Sequence, residues 1–93
     1  LKINDDEKIE LISKALSSST RREILRLIRN QAIKGEQIDV SSIAEILDMT
    51  EANISAQIKR LEKAGLIRCF YMPGQHGVKK ISQIIYRNII FNI

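Results

Sequence analysis

Ile54, Ile58 and Leu61 recur at i, i+4 and i+7 in a segment whose other positions are mostly short or charged. This spacing draws one buried stripe along one side of a helix. Thr50 opens the segment as an N-cap. At about 100° per residue, Ala52, Ser55, Ala56, Lys59, Arg60 and Lys63 fall on the opposite half, with Asn53 and Gln57 on one flank. Gly65 stands where a left-handed C′ residue belongs, and Leu66 after it is placed to close on Leu61, the apolar contact of a Schellman motif. The segment is therefore a rod with an apolar back, which needs a core, and a short-and-cationic front, which is free to meet a partner.

That core has to come from the rest of the chain. A first helix starts from Asn4 as N-cap, with Asp5, Asp6 and Glu7 in its first turn, where the helix dipole favours negative charge. Ile9, Ile12 and Leu16 recur along it, and Leu11 and Ala15 widen the stripe beyond one face, so part of this helix is expected to pack on a second subunit. Ser17, Ser18 and Ser19 break it and cap a second helix carrying Ile24, Leu27 and Ile28, which ends at Gly35. Ile38 to Val40 is a brief extended stretch. Ser41 or Ser42 then caps a third, short helix with Glu45 completing a capping box, and Ile43, Ala44, Ile46 and Leu47 form its buried side up to Asp48.

Beyond the rod the pattern changes. Leu66 to Met72 is rich in Ile, Phe and Tyr, Pro73 and Gly74 punctuate it, and Gly77 precedes a second run from Val78, a hairpin signal with its loop at Pro73 to Gly77. In the tail, Ile81, Ile84, Ile85 and Ile89 fit a helix, but the β-branched excess and the run Asn88 to Ile93 favour a strand. With no repeat, low-complexity tract or linker, residues 1–93 make a single domain.

Charge separates the two ends. Residues 1–50 hold eight Lys/Arg against nine Asp/Glu, whereas residues 51–93 hold seven against two, a net of +5. A concentrated positive field attracts nucleic acid, an anionic membrane surface or an acidic protein, the alternative being a solvated face. No apolar stretch reaches the roughly 20 residues of a membrane span, since Arg87, Asn88 and Asn92 interrupt the most apolar segment. The acidic N-terminus is unlike a secretory signal, which gives the expectation of a cytoplasmic protein. Leu rather than Met stands first, which leaves open a longer protein with an effector domain. Eighteen isoleucines in so small a domain favour pairing with a second copy.

Two helices joined by the two-residue turn Asp48-Met49, with a polar outer face on the second, are the elements of a helix-turn-helix, and the hairpin after them is placed as a wing. Short side chains at Ala52, Ser55 and Ala56 let the backbone approach a major groove, while Lys59, Arg60 and Lys63 reach flanking phosphates. Ser41, Thr50, Asn53 and Gln57 complete the candidate face, and His76, Lys79 and Lys80 serve from the hairpin. The fold class expected is mainly α with a small β-hairpin (α+β), a winged helix-turn-helix of four N-terminal helices, a β-wing and a C-terminal strand.

The stretch from Ala15 through Thr20-Arg21-Arg22-Glu23-Ile24 to Ile28 resembles the opening signature of ArsR-type winged-helix transcription regulators. Val40 to Leu47, Thr50 to Ser55, and Lys59 with Leu61 to Ile67 resemble that family's recognition module, so the likeness covers residues 15–80. It implies a homodimer that binds double-stranded DNA and regulates transcription. The family's metal sensors carry cysteines at the start of the third helix, where this chain has Val40, Ser41 and Ser42. With one Cys and one His, a zinc or arsenic site is not met within one chain, and no metal or cofactor is expected. Asp48 replaces the usual turn glycine, which Asp tolerates by entering the left-handed region, and Ser19 replaces a common proline. The family's C-terminal dimer helix is not evident, and Ile3, Ile9, Ile12, Leu16, Ile89 and Phe91 are the candidate dimer contact.

Cys69 reads as a small buried hydrophobe, with a redox-active or intersubunit thiol as the alternative. Tyr71 and Tyr86 read as hairpin packing, and four aromatics with no Trp argue against single-strand binding by stacking. No nucleophile and base are paired, so an enzyme is not expected. The alternative function is a winged-helix module that grips an acidic protein partner.

Overall fold

Asp5 accepts hydrogen bonds from the backbone N–H groups of Glu7 and Lys8, which starts the first helix one residue later than Asn4 would. The computed structural model describes residues 2–92, so Ile93 of the expected terminal strand lies outside the described residues. The elements run β1 (Lys2–Ile3), α1 (Asp6–Leu16), α2 (Ser19–Ile33), β2 (Ile38–Asp39), α3 (Val40–Leu47), α4 (Glu51–Lys63), β3 (Ile67–Gly74), β4 (Gly77–Ile84) and β5 (Ile90–Phe91).

Ser18 caps α2, accepting from the Arg21 N–H, and a positive φ of 74° at Gly35 follows its end. α3 departs from expectation at its start. Asp39 is the N-cap, accepting from the Ser42 N–H at 3.1 Å, and Ser41 and Ser42 lie inside the first turn. The decision is made by the sheet: β2 pairs antiparallel with β4, with Asp39 opposite Ile81, and this pairing keeps Asp39 extended as an N-cap must be.

The helices meet around Ile24, Ile43, Ile54, Ile58 and Leu61, all fully buried, and β3 adds Ile67. Each such side chain contributes roughly 1.5–3 kcal/mol by leaving water. β4 lies between β2 and β3 in a three-stranded sheet. The hairpin is longer than the sequence indicated: Pro73 pairs with Val78 and Gly74 with Gly77, leaving Gln75-His76 as the turn. Pro73 is tolerated because β3 is an edge strand, where a missing donor costs least.

At the other end, β1 and β5 pair in parallel, Lys2 with Ile90 and Ile3 with Phe91, and the Asn92 N–H donates to the Ile3 carbonyl at 2.8 Å. The tail is therefore a strand at Ile90–Phe91, as favoured, whereas Ile81 and Ile84 belong to the hairpin. No helix is long and apolar enough to cross a membrane among the described residues.

Candidate nucleic-acid interface

The turn that aims α4 is built at Asp48. Its φ of 54° and ψ of 51° place it in the left-handed region, and the Met49 N–H returns to the Ala44 carbonyl at 2.9 Å, closing α3. Asp bears this conformation at less cost than most residues. Thr50 then caps α4, its Oγ1 accepting from the Asn53 N–H at 3.1 Å. At the far end the Gly65 N–H donates to Glu62 and the Leu66 N–H to Leu61, the two bonds of a Schellman motif, with Gly65 at φ 77°. Both ends of α4 are thus fixed by their own residues.

Between them the helix is oriented as its spacing demands. Ile54, Ile58 and Leu61 are 0% exposed, while Ala52, Asn53, Ala56, Lys59, Arg60 and Lys63 are exposed and Ser55 and Gln57 are half-buried. The ion pairs among the described residues are Lys14 with Glu10 and Lys80 with Glu62, so Lys59, Arg60 and Lys63 stand unpaired. Arg60 and Lys63 line a groove of about 270 Å³ with Lys14 and Arg21, on the α1 side of the helix.

The hairpin approaches the opposite side. Ser41, Ser55, His76, Lys79 and Lys80 line one cleft of about 460 Å³, so five of the expected contact residues converge there. Asp39 and Glu51 line it as well. Burial works against the Asp39 carboxylate, but hydrogen bonds from Ser42 and the nearby Lys79 ammonium outweigh it and hold the carboxyl below its ordinary value. Lys79 lies with its stem across Gly74, where a Cβ would come within 2.7 Å of the lysine Cγ and 3.2 Å of the Gly77 carbonyl oxygen. Lys80 is partly engaged, its Nζ 4.0 Å from Glu62 Oε1, a contact that ties the hairpin to α4.

Two residues that brace this surface were not among those expected from the sequence. Glu62 is one. The other is Arg21, only 8% exposed, whose guanidinium donates to the Ala15 carbonyl at 2.6 Å, the Lys14 carbonyl at 2.9 Å and Gln57 Oε1 at 2.8 Å. Its signal was present, since Arg21 lies at i, i+3, i+7 with Ile24 and Ile28 and so points inward.

The residues expected at a dimer contact divide. Ile3 and Ile12 are 3% exposed and lie in the chain's own core, a correction that follows from the β1 pairing and from the inward position of Ile12 on α1. Ile9, Leu16, Ile89 and Phe91 remain partly exposed against that core. Cys69 is half-buried with its Sγ 3.5 Å from Ser82 Oγ, and burial pushes its thiol pKa up, which suppresses thiolate reactivity. Among the described residues, no three His, Cys, Asp or Glu side chains are grouped to hold a metal ion.

A short helix, a left-handed turn, a capped helix with a polar front and a flanking hairpin define a winged helix-turn-helix. A family model described as "Bacterial regulatory protein, arsR family" matches residues 18–68, more than half of the chain. The chain belongs to that family.

Solved structures agree on the fold. HlyU from Vibrio cholerae N16961 is similar at a TM-score of 0.69 and 16% identity, over 87% of this chain and 78% of that one. Reduced HlyU from the same source is similar at a TM-score of 0.69 and 16% identity, over 87% of this chain and 76% of that one. An ArsR family transcriptional regulator, RHA00566, gives 0.65 and 26% over 85% and 77%. No curated protein matches the chain. The family is one of regulatory proteins, not of enzymes.

Proposed function

We propose that this chain binds double-stranded DNA in a sequence-specific manner and regulates transcription as a homodimer. α4 enters the major groove, its short residues Ala52, Ser55 and Ala56 allowing close approach and Lys59, Arg60 and Lys63 contacting phosphates. Residues 73–80 lie on the backbone or in the minor groove. Two copies, joined through Ile9, Leu16, Ile89 and Phe91, set their α4 helices about 34 to 36 Å apart on a pseudo-palindromic site.

The observation that carries this reading is the outer face of α4: exposed, short at its N-terminal half, and holding three cations without a carboxylate partner among the described residues. These three cations make no ion pair within the fold among the described residues, and a polyanion would supply their partners. Titrating a labelled duplex at several salt concentrations tests it. Tight binding that weakens steeply with salt is expected, and flat, weak binding at low salt removes the proposal.

A further inference from the structure

Arg21 carries donors and no acceptor, and this fixes the orientation of two amides on the DNA-facing helix. Its Nη1 donates to Gln57 Oε1 at 2.8 Å, so the Gln57 amide nitrogen has to point away. That nitrogen donates to Asn53 Oδ1 at 3.1 Å. One lone pair of the Asn53 oxygen is then taken, and its Nδ2 lies 3.8 Å from the Met49 sulfur, a weak acceptor that a base can displace. Arg21 itself cannot turn, because the last carbonyls of α1, at Lys14 and Ala15, hold its other nitrogens. One polarity therefore runs from the end of α1 through α2 to the exposed surface of α4.

We infer that Arg21 is a positioning residue for base selection: through Gln57 it sets Asn53 as a hydrogen-bond donor, so that the base pair Asn53 meets presents an acceptor edge. Guanine offers two acceptors side by side in the major groove, N7 and O6. Cytosine offers a donor there. Adenine offers one acceptor beside a donor, and the Asn53 oxygen, which already accepts from Gln57, meets that donor only with its second lone pair. The position read by Asn53 is accordingly one that presents acceptors, guanine first and thymine, with its single O4, after it, in preference to adenine or cytosine. The inference rests on the DNA-binding reading above and adds to it the residue that decides which edge is read.

The test is selection of bound duplexes from a random pool by the full chain and by two variants, Gln57→Glu and Arg21→Met. In Gln57→Glu the introduced carboxylate would accept from both Arg21 and Asn53 Nδ2, turning the Asn53 oxygen outward, so the preferred base at that position inverts to one presenting a donor, cytosine or adenine. Arg21→Met releases the Gln57 amide to either orientation, and the preference of about tenfold, the scale of one base contact, flattens. A residue that merely supported the fold would lower affinity for all sequences alike without inverting a preference. Cooperative melting checks that each variant is folded, and Gln57→Glu, which keeps a partner for Arg21, carries the test if Arg21→Met does not fold. A folded variant that keeps the wild-type base overturns the inference while leaving DNA binding intact. A wild-type chain that enriches no site overturns the DNA reading and the inference with it.

Discussion

Replacing Lys59, Arg60 and Lys63 together by Gln separates electrostatic from structural roles on α4. All three are exposed and unpaired among the described residues, so the substitution breaks no ion pair and leaves the buried face of Ile54, Ile58 and Leu61 intact. Stability is expected to change by no more than about 0.5 kcal/mol per site. DNA binding responds differently. Each phosphate neutralised contributes about 0.9 to the slope of log K against log salt, so losing three contacts lowers the slope by about 3 for one protomer and about 5 for a homodimer. Between roughly 50 and 200 mM salt, the wild-type dimer then loses about a thousandfold more affinity than the variant does. Fluorescence anisotropy of a labelled duplex over a salt series measures both slopes. A folded triple variant with the wild-type slope would refute the assignment of these cations to phosphates, and a change near 3 rather than 5 would argue for a monomer on the site.

Three further outcomes follow from the geometry. Ile58→Ala, at a fully buried position, is expected to cost about 2–5 kcal/mol in urea denaturation, whereas the adjacent Lys59→Ala stays within about 0.5; equal effects would contradict the orientation of α4. Asp39→Ala removes the α3 cap and costs about 1 kcal/mol at pH 7. Because the folded-state pKa of Asp39 lies below its ordinary value of 3.8, the stabilisation is present above that value and is lost as pH falls through the lower folded one. The gap between wild type and Asp39→Ala therefore narrows in acid, and a gap that grew there would reverse the sign argued. Ile9→Asp with Phe91→Asp shifts sedimentation from dimer to monomer if those partly exposed residues form the contact.

The sequence carried the recognition module almost whole because each of its parts is local. The stripe of α4, its Thr50 cap, the left-handed Asp48 and the Gly65-Leu66 closure involve residues within a few positions of one another. What escaped was set by distant partners. Choosing Asp39 over Ser41 or Ser42 as a cap required knowing that β2 pairs with β4, more than forty positions away. The β1–β5 pair consists of two-residue strands from opposite ends of the chain, too short for any periodic signal. That pairing draws Ile3 inward and removes it from the surface where a dimer contact was expected. Arg21 was hidden for a different reason: a cation on an apolar stripe has meaning only once Gln57, from another helix, is seen to accept from it.

The most direct test of the account is amide chemical-shift mapping of the chain with and without a duplex obtained by selection. Residues 50–63 and 74–80 should shift together as DNA is added, with the face of α1 that carries Glu7 and Glu10 unmoved. Shifts gathered on α1 and β5, with α4 undisturbed, would show that its short and cationic front meets something other than DNA.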